Sequence, residues 1–154
     1  MIKATFGHVN LVARDWRMLA AFYERVLGCT RVPPERDYQG PDLEAGTGVP
    51  GALVRGIHLR LPGGGPSGPT LEVYQYEPEL TARPPAANRP GYGHIAFAVA
   101  DVAAAREVVL AQGGSAVGRV VTLQTADRRR VTWTYVRDPE GNIVELQPWA
   151  KASP

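Results

Sequence analysis

Phe6-Gly7-His8-Val9-Asn10-Leu11-Val12-Ala13-Arg14-Asp15 and Tyr92-Gly93-His94-Ile95-Ala96-Phe97-Ala98-Val99-Ala100-Asp101 align without a gap, 86 positions apart. The same offset pairs Gly28 with Gly114, so the match runs through a whole strand–helix unit. Further along, Leu71-Glu72-Val73 has a counterpart in Val144-Glu145-Leu146. An internal repeat of this kind decides the architecture, because each copy is one structural unit. It also places two histidines and two carboxylates at equivalent positions.

Each copy reads as strand–helix–strand–strand–strand. In the first, residues 5–12 alternate, with His8, Asn10 and Val12 on one side and Val9 and Leu11 on the other. Asp15 is placed as a helix N-cap, Trp16, Leu19, Ala20, Tyr23, Val26 and Leu27 follow helical spacing, and Gly28 is the stop. A short strand over 29–32 leads into Pro33–Gly51, which reads as a long loop, followed by strands over 52–61 and 70–76. In the second copy, strands are predicted over 92–99, 117–124, 130–137 and 143–147, with a helix from the Asp101 cap through Ala111. Asp138-Pro139-Glu140-Gly141-Asn142 carries strong hairpin chemistry. The expected fold class is α+β: tandem βαβββ modules over 1–76 and 91–148, a proline-rich linker over 77–90, and mainly antiparallel sheets.

Size and composition narrow the function. At 154 residues and 44% hydrophobic composition the chain suffices for one well-packed domain. A net charge of +2 with scattered Lys and Arg argues against a nucleic-acid partner, and Arg128-Arg129-Arg130 reads as a solvated hairpin tip. The single cysteine, Cys29, reads as a small core residue and points to a reducing compartment. No apolar run approaches the roughly 20 residues needed to cross a bilayer. The first residues lead directly into a strand pattern with no signal-peptide core, so no membrane partner and a cytoplasmic location are expected. Gly63-Gly64-Gly65 lacks the Lys-Ser/Thr of a phosphate loop and reads as a flexible hairpin.

Singly, a strand histidine or glutamate is most often structural. The duplication changes the weighing: polar groups aimed inward from related sheets are costly unless paired or metal-bound. Two imidazoles and two carboxylates suit Ni, Co, Mn, Fe or Zn, and ligand type alone does not choose among them. His58 has no histidine counterpart in the second copy and is read as a surface or loop contact. Trp133 and Tyr135 share a strand face and are read as core or dimer packing.

With Gly7-His8-Val9, Phe22-Tyr23 to Val26-Leu27-Gly28, Leu71-Glu72-Val73, Gly91-Tyr92-Gly93-His94-Ile95-Ala96-Phe97, and Arg137-Asp138-Pro139-Glu140-Gly141-Asn142 before Val144-Glu145-Leu146, the chain resembles the vicinal oxygen chelate superfamily over nearly its whole length. That superfamily includes glyoxalase I, methylmalonyl-CoA epimerase, extradiol dioxygenases, and fosfomycin and bleomycin resistance proteins. The resemblance implies curved sheets around a metal cleft, one divalent ion, and His8, Glu72, His94 and Glu145 as ligands. This set is most similar to bacterial glyoxalase I. It implies a lyase, isomerase or epimerase in which the ion stabilises an enediolate while Glu145, with Glu72 opposite, moves the proton. Asn10, Tyr74, Ala96 and Gln147, two residues from the ligands, are expected to shape the pocket for a small-molecule substrate, with core packing the other reading of Tyr74.

The chain departs from glyoxalase I at Val12, where the bacterial enzymes commonly carry an arginine that holds glutathione, so glutathione is not the expected substrate. Arg31, Arg36 and Arg55 are candidates for an anionic group. Two other readings stay open: a non-enzymatic drug-binding or resistance protein, and an extradiol-type dioxygenase. A homodimer is expected by resemblance, with the ligands drawn from one chain or from two.

Overall fold

A computed structural model of the chain describes residues 2–81 and 83–148. No helix among them is long and apolar enough to cross a membrane. The chain divides into two compact units, within residues 1–82 and 83–154.

The first unit runs β1 (His8–Val12), α1 (Trp16–Leu27), β2 (Thr30–Gln39), α2 (Pro41–Thr47), β3 (Leu53–Arg60) and β4 (Thr70–Glu77). Its sheet has the order β1-β4-β3-β2, with β1 parallel to β4 and the other pairs antiparallel. Helix α1 begins where the Asp15 carboxylate accepts the amides of Arg17 and Met18, each at 3.0 Å. Such a cap is worth about 1 kcal/mol. The helix ends at Gly28, whose φ of 69° is the left-handed turn that glycine adopts without strain. Leu19, Ala20, Phe22 and Tyr23 of α1 are buried, as are Ile57, Leu59, Leu71 and Val73 of β3 and β4. Full burial of side chains this size stabilises by roughly 1.5–3 kcal/mol each.

The expected loop after Val32 is instead a strand and a helix. Strand β2 pairs with β3 through Thr30–Val32 and again through Arg36–Gln39, with a register shift between. The shift falls on Pro33 and Pro34, which have no amide to donate, and β2 is an edge strand. Edges and bulges are where a sheet accepts proline. Pro41 then opens α2, and Gly48 closes it with φ 69°.

Cys29 follows α1 and is 3% exposed. Burial, with the nearby Glu24 carboxylate second, pushes its thiol up to about 12. Only the thiolate attacks disulfide reagents. Native protein at pH 8 is therefore expected to leave Cys29 unmodified over hours, and unfolded protein to react within minutes. Rapid labelling of the native chain would contradict this burial.

The second unit runs β5 (Ile95–Ala98), α3 (Val102–Ala111), β6 (Ser115–Ala116), β7 (Val121–Gln124), β8 (Arg130–Arg137) and β9 (Ile143–Gln147). Its sheet has the order β5-β9-β8-β6, β7 also pairs with β8, and β5 is parallel to β9. Asp101 caps α3 by accepting the Ala104 amide at 3.0 Å. The strand expected over 117–124 is broken: the amides of Val117 and Gly118 both donate to the Tyr135 carbonyl, at 3.3 and 3.2 Å. Two residues facing one is a bulge, and it divides the strand into β6 and β7. The turn after β8 forms as expected. Asp138 is 2% exposed and accepts the amides of Glu140 and Asn142 and the Asn142 side-chain amide, at 3.0, 2.9 and 2.8 Å. Arg128, Arg129 and Arg130 lie at the tip and base of the β7–β8 hairpin.

Candidate functional site

The first unit's sheet has an apolar face, which carries Ile57, Leu59, Leu71 and Val73, and a polar one. On the polar face, register puts Asn10 of β1 and His58 of β3 on either side of Glu72 in β4. His8 pairs with Thr70 in the row before, and Val12 and Gly56 flank Tyr74 in the row after. His8 Nε2 stands 3.4 Å from Glu72 Oε2, and the Asn10 side-chain amide donates to the same oxygen at 3.3 Å. His58 Nε2 is 3.0 Å from Glu72 Oε1, and the Tyr74 hydroxyl donates to that oxygen at 3.3 Å.

His58 is thus no surface contact. It is half-buried, with Nε2 2.9 Å from the Tyr74 hydroxyl and Nδ1 3.0 Å from the Thr70 hydroxyl. Burial lowers its pKa, with Glu72 acting the other way and Arg36, His8 and Arg60 adding to the lowering, so the ring is neutral at pH 7. Burial first, then the charge and hydrogen bond of Glu72, raises the Tyr74 phenol well above its ordinary value. Tyr74 is therefore a neutral donor beside the carboxylate, which accounts for its polar end better than core packing does.

In the second unit the corresponding row is Ala96, Glu145 and Tyr135. His94 Nε2 lies 2.8 Å from Glu145 Oε2. The Tyr135 ring is 5.0 Å from the His94 ring and 4.8 Å from that of Trp133. The two aromatics are not in the core: Thr134 and Val136 fill it from the opposite face of β8, and Trp133 and Tyr135 remain half-exposed. Burial, then Glu145, raises the Tyr135 phenol. Gln147 follows Glu145 on the same face and pairs with Ala98. Of the arginines that are candidates for an anionic group, only Arg36, opposite Gly56 on β3, is close enough to His58 and Tyr74 to lower both of their pKa values. Arg31 pairs with Glu24 and Glu35, Arg55 with Asp37 and Glu77, and Arg36 donates to the Pro34 carbonyl.

The family model described as the Glyoxalase/Bleomycin resistance protein/Dioxygenase superfamily matches residues 5–146. The chain belongs to this superfamily. Solved structures share the fold of this glyoxalase-superfamily protein. A glyoxalase family protein from Bacillus cereus is 21% identical at a TM-score of 0.79, covering 96% of this chain and 97% of its own. An integron cassette protein from V. pseudocholerae is 25% identical at 0.56, covering 98% of each chain. The fosfomycin resistance protein FosX from Listeria monocytogenes, complexed with Mn(II) and sulfate, is 14% identical at 0.55, covering 97% of this chain and 95% of its own. No curated protein matches.

Superfamily members bind divalent metals, and the donors here fit one. Two ligands at right angles on one ion, each bonded at about 2.1 Å, stand about 3 Å apart. The His8–Glu72 and His94–Glu145 separations of 3.4 and 2.8 Å bracket that value. Within each unit, among the described residues, no three His, Cys, Asp or Glu side chains form a group able to hold a metal alone.

Proposed function

We propose that the chain is a divalent-metal-dependent lyase, isomerase or epimerase of the glyoxalase type, acting on a small oxygenated molecule by removing a C–H proton. The observation that carries this is the pair of equivalent His/carboxylate couples, His8 with Glu72 and His94 with Glu145. All four side chains are proposed as ligands, since among the described residues neither couple belongs to a group of three or more side chains able to hold a metal. When bound, the ion supplies the positive charge that stabilises the anion left on the substrate.

The residues divide the remaining work. Glu145 is the proposed base: His94 is its one hydrogen-bond or ion-pair partner among the described residues, so it can release that contact and take a proton. Glu72, with four polar neighbours, holds its place. Asn10, Tyr74 and Gln147 bring polar groups to the substrate side, and Ala96 leaves room beside Glu145. The half-exposed Trp133 and Tyr135 add an apolar wall. Val12 offers no charge for glutathione, so the substrate is proposed to be a different small 2-oxo or 2-hydroxy compound. A homodimer is the proposed working state.

Metal analysis of protein purified from metal-supplemented cells is expected to find one divalent ion per site. The loaded protein is expected to exchange a substrate C–H for deuterium from solvent, followed by NMR across a panel of 2-oxo and 2-hydroxy acids and thioesters. Intact but metal-free protein would replace this reading with a binding or resistance role. Strong oxygen uptake by iron-loaded protein with a catechol would replace it with dioxygenase chemistry.

A further inference from the structure

The two carboxylates of the proposed centre are held very differently. Glu72 meets four polar side chains: Asn10 and His8 at Oε2, at 3.3 and 3.4 Å, and His58 and Tyr74 at Oε1, at 3.0 and 3.3 Å. Among the described residues Glu145 has the His94 contact at 2.8 Å, and the cross-strand places beside it hold Ala96 and Tyr135. Alanine has nothing to donate.

The hydrogen bonds around Oε1 have one consistent direction. The Tyr74 hydroxyl donates to Glu72 Oε1, so its oxygen accepts from His58 Nε2 at 2.9 Å, and His58 Nδ1 is left to accept the Thr70 hydroxyl at 3.0 Å, while Nε2 also stands 3.0 Å from Oε1. The ring is therefore fixed at both nitrogens. Tyr74 reaches the same oxygen because its ring lies over Gly56, its cross-strand partner. A Cβ at Gly56 would fall 2.3 Å from Tyr74 Cδ1. A glycine at that point of β3 and a histidine two residues on together make a seat for the Glu72 carboxylate.

We infer that His58 and Tyr74 are positioning residues: they clamp Oε1 of Glu72, aim Oε2 with His8 toward the metal, and make Glu72 the fixed carboxylate of the centre. The inference rests on the metal-centre reading above. Partners that orient a metal ligand hold it in its binding geometry at no cost when the ion arrives, and losing one typically lowers metal affinity 10- to 100-fold.

The test is Ni²⁺ titration of the full chain by calorimetry. His58→Ala and Tyr74→Phe are each expected to weaken Ni²⁺ binding by about 10- to 100-fold. Tyr135→Phe, at the corresponding place opposite Glu145, is expected to change it by no more than about twofold. A second measurement needs no metal: melting temperatures of His58→Ala, Glu72→Gln and the double variant, all metal-free. The clamp requires non-additive losses, with the double variant little worse than the worse single one. Additive losses would overturn it. So would wild-type Ni²⁺ affinity in both His58→Ala and Tyr74→Phe while the parent chain binds the ion, which would leave the metal-centre reading standing. A parent chain that takes up no Ni²⁺ would overturn that reading and the clamp's role with it.

Discussion

Replacing either His94 or Glu145 by alanine is expected to abolish stoichiometric metal binding while leaving the fold intact. These side chains are 35% and 16% exposed, and neither helps to fill the second unit's core, which is built from Val109, Val136, Val144 and Leu146. Their loss should shift the melting temperature little. Its effect on the metal should be larger than the 10- to 100-fold typical of a partner outside the ligand set, because a bonding donor is removed. Two nitrogen and two oxygen donors also leave no surplus. His8→Ala and Glu72→Ala are expected to behave alike, with Glu72→Ala less stable because His58, Tyr74 and Asn10 lose their acceptor. Elemental analysis after gel filtration, beside circular dichroism melts, checks all four. Full metal content in folded His94→Ala and Glu145→Ala would remove the catalytic proposal.

Gly56→Ala is expected to be the most damaging single-methyl change in the first unit. The added carbon would sit 2.2 Å from the Val73 carbonyl oxygen and 2.3 Å from Tyr74 Cδ1. The tyrosine ring can swing away, but the carbonyl belongs to the adjacent strand and moves only if β3 and β4 separate. Overpacking of this kind costs about 3 kcal/mol. Urea unfolding should show a loss near that size. The surviving folded fraction should bind metal more weakly, because the displaced Tyr74 hydroxyl no longer reaches Glu72. A variant as stable as the parent would mean that the strands approach less closely than described.

The elements that could be read along the chain were those whose signals are local. Asp15, the helical spacing from Trp16 and Gly28 delimit α1 within a dozen residues, and Asp101 does the same for α3. The turn at Asp138 to Asn142 is similarly self-contained. What was missed depends on pairing. Pro33 and Pro34 argue for a loop unless it is known that β2 lies at an edge and bulges there. Val117 and Gly118 continue an alternating pattern, and only their shared acceptor on β8 reveals the break. Read along the chain, His58 has no histidine counterpart in the second copy and points to a surface or loop contact. The signal that could have placed it is the β3–β4 hairpin, in which Arg60 opposite Thr70 puts His58 opposite Glu72.

The duplicated pattern by itself determined the α+β class, the repeated unit and the four candidate ligands, because matching strings at a constant offset and strand alternation are properties of neighbours in the chain. Tertiary structure alone decided that His58 and Tyr74 surround Glu72 while Glu145 keeps one hydrogen-bond or ion-pair partner among the described residues. Cross-strand contacts depend on register, and register is set by turns, bulges and a glycine that lets two strands close. No stretch of sequence a few residues long contains that information.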